Sequence, residues 1–128
     1  MAALTLVQDV LKQNTNRHIR VFAVWEPILP TDYSSPGTAV LGRLSDPRVT
    51  QYWDKNHLFA EQLGRKIEAD AAQQKPNCCT RRGIQWDEVA VYSQDTQWDG
   101  QLPRAVYLNG PVVHSADFSN SVNSLLSK

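Results

Sequence analysis

Residues 18–25 read His-Ile-Arg-Val-Phe-Ala-Val-Trp, a β-branched and aromatic run whose apolarity is almost unbroken after Arg20. A run of this kind fits a strand covered on both faces, as central strands of parallel sheets are. Helical patterns stand on either side of it. Before it, Leu4, Val7, Val10 and Leu11 recur at helical spacing and predict an amphipathic helix over 3–14, broken at Asn14 to Asn16. After it comes a proline-rich loop, Glu26 to Pro36, in which Ser35 and Pro36 form a helix-start signature. The short helix they open runs through Val40, Leu41 and Leu44 and stops near Asp46-Pro47.

Arg48 to Trp53 is a second expected strand, and Asp54 or Asn56 is placed to cap a helix whose Phe59, Leu63, Ile67 and Ala71 share one face. Gln73 to Gly83 reads as a polar loop around Cys78-Cys79, Trp86 to Tyr92 as a third strand, and Ser93 to Pro103 as another loop. Arg104 to Leu108 then meets Val112-Val113 across Asn109-Gly110, a pair that tolerates positive φ and signals a hairpin. Ser115 is placed to cap a last helix carrying Phe118, Val122, Leu125 and Leu126. Two strands joined by a helix should run parallel with a right-handed crossover. The expectation is one α/β domain over 1–128, with a mixed sheet flanked by helices on both faces.

Thirteen basic residues balance thirteen acidic ones among 128, which argues against a nucleic-acid or anionic-membrane surface, since either needs clustered Lys and Arg. Arg81-Arg82 is the densest basic run and makes only a local patch. No apolar stretch approaches the roughly 20 residues of a membrane span. The first ten residues have no basic region ahead of an apolar one, and the expected location is cytoplasmic.

The element order is similar to that of the thioredoxin superfamily. Val21-Phe-Ala-Val-Trp25 resembles the strand that ends in tryptophan just before the family's active-site cysteines, and Pro103-Arg-Ala-Val-Tyr-Leu-Asn-Gly-Pro-Val-Val113 resembles its proline, strand, turn and strand. The chain also resembles bacterial proteins that combine Val24-Trp25-Glu26-Pro27 with a Cys-Cys ahead of a Trp-Asp strand, a resemblance that brings no function with it. It implies a thioredoxin-like three-layer α/β/α sandwich with a mixed central sheet. Counted from Trp25, the family's two cysteine positions fall on Leu29 and Asp32. A thioredoxin cysteine reacts because a helix N-terminus stabilises its thiolate, so Leu29 removes ordinary thiol–disulfide exchange there. Pro103 is either the counterpart of the family's cis-proline or, if Trp86 to Tyr92 opens the terminal hairpin, lies beyond it.

Two groups of residues carry candidate chemistry. Cys78 and Cys79 are neighbours, about 3.8 Å apart at Cα, whereas a relaxed disulfide wants roughly 4.4 Å or more. A bond between them is easily reduced. The pair suits a redox switch or a clamp for a soft ion, with Arg81 and Arg82 favouring the thiolate; the plainer reading is two ordinary reduced cysteines. Zinc sites space their cysteines two to four apart, so no metal site is expected. The other group is the loop after the first strand, with Trp25, Glu26, Pro27, Leu29, Asp32 and Tyr33 as candidate ligand-binding residues. Ligands of open α/β sheets gather at the carboxyl ends of strands, and a Glu26–Asp32 carboxylate pair could divide acid and base work. Solvated loop acids and a helix cap are the plainer alternative.

Trp53-Asp54, Trp86-Asp87 and Trp98-Asp99 lie 33 and 12 residues apart, which is not the repeat of about 40 that a propeller needs. Trp98 is expected to be exposed, and His18, His57 and His114 to be surface or capping residues. No Gly-rich phosphate cradle, Gly-x-Ser-x-Gly elbow or His-Glu-x-x-His motif is present, so no cofactor is expected. A thioredoxin-like binding or redox-responsive accessory module, monomeric or homodimeric, with a protein or small-molecule partner, is the resulting expectation. A thiol redox or soft-metal protein built on Cys78-Cys79 is the alternative.

Overall fold

The computed structural model describes residues 2–27, 34–112 and 117–127; Leu29, Asp32, Tyr33, Val113, His114 and Ser115, singled out above, lie outside them. The chain divides into two compact units, Met1–Phe59 and Ala60–Lys128.

In the first unit the helix α1 (Ala2–Gln13) precedes β1 (Val21–Trp25), the short α2 (Thr38–Leu41) and β2 (Val49–Trp53). The strands pair in parallel, in register from Val21↔Val49 to Trp25↔Trp53, as two strands joined through a helix should. Leu4, Val10 and Leu11 of α1 are buried, as its periodicity predicts. The carbonyls at the end of a helix have no partner within it, and Arg48 supplies one: its guanidinium donates to Leu11 O at 3.0 Å and Asn14 O at 2.7 Å. The same guanidinium grips Asp46 and holds that carboxyl down to about 2 through its hydrogen bonds.

Two expectations for this unit change. Helix α2 starts two residues after Pro36, with Gly37 at its N-cap, whose carbonyl accepts from Val40 N and Leu41 N. One face of the parallel pair is uncovered. Phe22 and Tyr52 are 59% and 51% exposed there, with ring centroids 6.3 Å apart.

The helix α3 (Leu58–Ala69) leads into the second unit and buries Ala60, Leu63, Gly64 and Ile67. Ala71 is exposed, beyond the helix end. The stretch read as a polar loop contains a hairpin instead, β3 (Thr80–Arg81) against β4 (Ile84–Gln85). Its two turn residues, Arg82 and Gly83, have φ of 53° and 79°, the type I′ pattern whose twist suits a two-residue hairpin. The turn packs on α3 so closely that a Cβ at Gly64 would come within 2.2 Å of Gly83 O.

The expected third strand, Trp86 to Tyr92, is shorter and starts later. Asp87, at φ 51°, separates β4 from β5 (Val89–Val91). Among the described residues no ladder returns across Asn109-Gly110: β6 (Tyr107–Asn109) pairs antiparallel with β5, Val91 opposite Tyr107, and Val113 lies outside them. Pro111 has no N–H to offer a returning ladder, and Asn109 Oδ1 accepts instead from Asn77 N and Gly110 N. Among the described residues the cis peptide bond is Gly110–Pro111, so the bond before Pro103 is trans.

The last helix, α4 (Phe118–Leu126), buries Phe118 and Val122, with Asp117 at its N-cap. Leu108, at 0% exposure, is the most enclosed core residue. Mixed helix and strand content places the chain in the α/β class. Among the described residues the strands pair as three two-stranded sheets, not as one mixed sheet.

Candidate functional site

Strands β1 and β2 end side by side, so their last residues, Trp25 and Trp53, occupy matching positions on one face. Gln51 shares that face and accepts a hydrogen bond from the Trp25 indole Nε1 at 2.9 Å, which fixes the ring. Glu26 follows β1 and Asp54 follows β2. Asp54 N donates to Trp25 O at 2.7 Å, carrying the pairing one residue beyond the strands.

Asp54 is also the cap foreseen in the sequence. Its Oδ1 accepts from Leu58 N at 2.7 Å and its Oδ2 from Phe59 N at 2.9 Å, which satisfies two N–H groups at the start of α3. In the turn between, His57 N donates to Asp54 O, and His57 adopts φ 58°. That left-handed backbone is uncommon for a residue with a Cβ, and it returns the imidazole to Glu26.

His57 Nδ1 lies 3.8 Å from Glu26 Oε2, beyond hydrogen-bonding distance. Glu26 Oε1 and His57 Nδ1 are both buried and, among the described residues, have no hydrogen-bond partner. Burial, and secondarily the negative charge of Asp54, push the Glu26 carboxyl up to about 7. Glu26 is thus poised to exchange a proton near neutral pH. A cavity of about 220 Å³ opens beside it, lined by Trp25, Glu26, Ser34, Pro36 and Trp53.

Of the loop residues singled out in the sequence, Trp25 and Glu26 line this cavity and Pro27 is half-buried. The Glu26–Asp32 pairing falls outside the described residues. Glu26 is brought to Asp54 and His57. His57, expected to be a surface or capping residue, is the functional candidate that sequence reasoning missed. His18 is exposed as expected.

The second unit holds the other candidate. Cys78 and Cys79 are joined in a vicinal disulfide. Cys79 takes φ 83°, a strained conformation for a residue with a side chain, and its carbonyl accepts from Trp86 N at 2.9 Å. Arg81 and Arg82 are exposed beside it. Among the described residues no cluster of three or more His, Cys, Asp or Glu side chains is placed to hold a metal ion. A hollow of about 260 Å³ between α3 and the β3–β4 turn is lined by Glu61, Arg65, Glu68 and Arg82, whose opposite charges balance. Trp98 is 54% exposed, as the polar loop around it suggests. No helix among the described residues is long and apolar enough to cross a membrane.

Comparison with known proteins finds no family model, curated protein or solved structure that this chain matches.

Proposed function

We propose that this chain is a thioredoxin-like domain without CxxC chemistry that serves as a binding module, with its ligand site at the carboxyl ends of β1 and β2. The observation that carries this reading is the cavity beside Glu26, where a desolvated carboxylate and two tryptophans meet at the end of a parallel strand pair. Ligand sites of open α/β sheets favour that position, and a few convergent polar groups in an otherwise apolar hollow are typical of binding pockets. The order helix, strand, helix, strand, helix, with a parallel first pair and an antiparallel last pair, supports the thioredoxin-like kinship. The partner is a small molecule or a protein, and the chain works in the cytoplasm as a monomer or homodimer. A fragment screen read on the indole resonances of the ¹⁵N-labelled protein tests the binding role. Ligands that shift Trp25 and Trp53 together, and lose this effect in Trp53→Ala, support it. A screen in which neither indole moves counts against it.

A second reading has its own observation, the Cys78–Cys79 disulfide. Reducing compartments keep thiols reduced, so in the cytoplasm this bond would act as a redox-responsive element. Two electrons and two protons from a dithiol reductant open it to two thiols, and the reductant leaves as its own disulfide. Alkylation followed by intact-mass measurement tests this. Two alkyl groups gained only after mild reduction, and none when the reduced protein is reoxidised before alkylation, support the switch; two freely reactive thiols without reductant exclude it. A soft-metal site on the same pair would show as a stoichiometric metal adduct of the reduced protein.

A further inference from the structure

We propose that the cavity lined by Trp25, Glu26 and Trp53 takes a small, free organic ammonium compound, with the Glu26 carboxylate as its counter-charge. This deepens the binding role proposed above and rests on it.

The chemistry of the walls selects the ligand class. Trp25 and Trp53 are register partners on one face of the strand pair and both line the cavity. Indole faces carry the strongest negative quadrupole among side chains and attract cations, quaternary ammonium groups above all. Glu26 adds a full negative charge on its ionised form and presents a buried Oε1 with no partner among the described residues. Within salt-bridge distance of Glu26 the described residues place His57, at 3.8 Å, and no Lys or Arg.

Other ligand classes fit less well. An anion would meet Glu26 with Asp54 behind it, a second negative charge that adds to burial in pushing the Glu26 carboxyl up. A neutral apolar ligand would leave the Glu26 carboxylate buried with no opposite charge against it. An ammonium group answers both the rings and the carboxylate.

Size narrows the choice further. Drug-sized ligands occupy about 300–1,000 Å³, while an engineered cavity of about 150 Å³ holds benzene. A volume of about 220 Å³ therefore suits a ligand somewhat larger than benzene, such as choline or a short betaine ester. Ser34, also on the wall, offers a hydroxyl to the polar tail of such a molecule.

Proton linkage makes the proposal quantitative. Cation binding requires ionised Glu26, so affinity should be constant above about pH 7 and fall roughly tenfold per pH unit below it. The titratable groups that the described residues place against Glu26 are Asp54, from the end of β2, and His57, from the turn before α3. His57→Gln should leave that slope in place.

The test is calorimetric titration of the full chain at pH 8 with choline and with its neutral carbon isostere, 3,3-dimethylbutan-1-ol, alongside the indole resonances. Choline should bind at least tenfold more tightly than the alcohol, shift both Trp25 and Trp53, and lose its advantage in Glu26→Gln. Circular dichroism checks that this variant folds, and the pH slope of the unmutated protein tests the same point without a substitution. Equal binding of the two probes, or an advantage that survives Glu26→Gln, overturns the cation proposal and leaves the pocket standing as a binding site. Binding of neither probe also overturns it, and only a fragment screen that fails as well removes the binding role. Tighter binding of a trimethyllysine peptide than of choline would assign the site to a protein ligand and overturn the proposal as stated.

Discussion

Glu26 and His57 face each other at 3.8 Å, the carboxylate from the end of β1 and the imidazole from a turn held at φ 58°. The pair is near enough to share a ligand and too far apart to satisfy itself with a direct hydrogen bond.

A buried acid of this kind marks the stability of the protein. The carboxyl of Glu26 is raised from 4.5 to about 7, chiefly by burial. The folded state therefore holds more protons than the unfolded state between those values, and stability falls as pH rises through the window, then levels off. Glu26→Gln has no such proton to lose. Relative to the parent it should gain about 1–3 kcal/mol between pH 4.5 and 7.5, read from urea unfolding followed by tryptophan fluorescence. An unchanged difference across that range would mean Glu26 is not desolvated.

Asp54 serves two neighbours, and Asp54→Asn should separate them. One side-chain oxygen remains to accept from Leu58 N or Phe59 N, so the helix cap weakens by about 0.5–1 kcal/mol. Loss of the negative charge should lower the Glu26 midpoint, while burial, the larger cause, keeps it above 4.5. Carboxyl NMR on the variant reads the second effect and urea unfolding the first.

Gln73 is 3% exposed, and its side-chain amide acts as a strand partner for Ala105. Its Oε1 accepts from Ala105 N at 2.8 Å and its Nε2 donates to Ala105 O at 3.3 Å. Gln73→Ala strands both buried backbone groups and should cost about 2–4 kcal/mol. Faster amide exchange at Ala105 should accompany the loss.

Gly64→Ala tests the packing of the β3–β4 turn on α3. Alanine is better than glycine in a helix interior by about 1 kcal/mol, yet a Cβ here meets Gly83 O at 2.2 Å. Overpacking of this kind costs about 1–3 kcal/mol or more, so the net effect should be destabilising. A stabilised variant would show that the turn sits further from the helix.

Several of these features are legible in the sequence. The β-branched and aromatic runs ending in Trp25 and Trp53 announce two strands because such side chains suit a pleated, half-buried surface. Asp54 was readable as a cap because only a few side chains can serve the free N–H groups of a helix start. The β3–β4 hairpin was hidden. Its turn depends on Arg82 at positive φ, and nothing in arginine's chemistry advertises that conformation. Asn109-Gly110 is the opposite case: a strong local turn signal is followed by Pro111, which has no N–H for a ladder, and β6 finds its partner in β5. The approach of His57 to Glu26 was equally illegible, since it depends on one left-handed residue in a turn whose sequence, Lys55-Asn56-His57, permits many geometries.

Everything proposed for the first unit depends on Glu26 being a desolvated carboxylate at the mouth of β1 and β2. Carbon-detected NMR of the glutamate side-chain carboxyls, followed from pH 3 to 9 and assigned by Glu26→Gln, tests this most directly. A Glu26 midpoint near 7 in the free protein, moving downward when choline is added, is the predicted result. A midpoint near 4.5, indifferent to the ligand, would contradict the account.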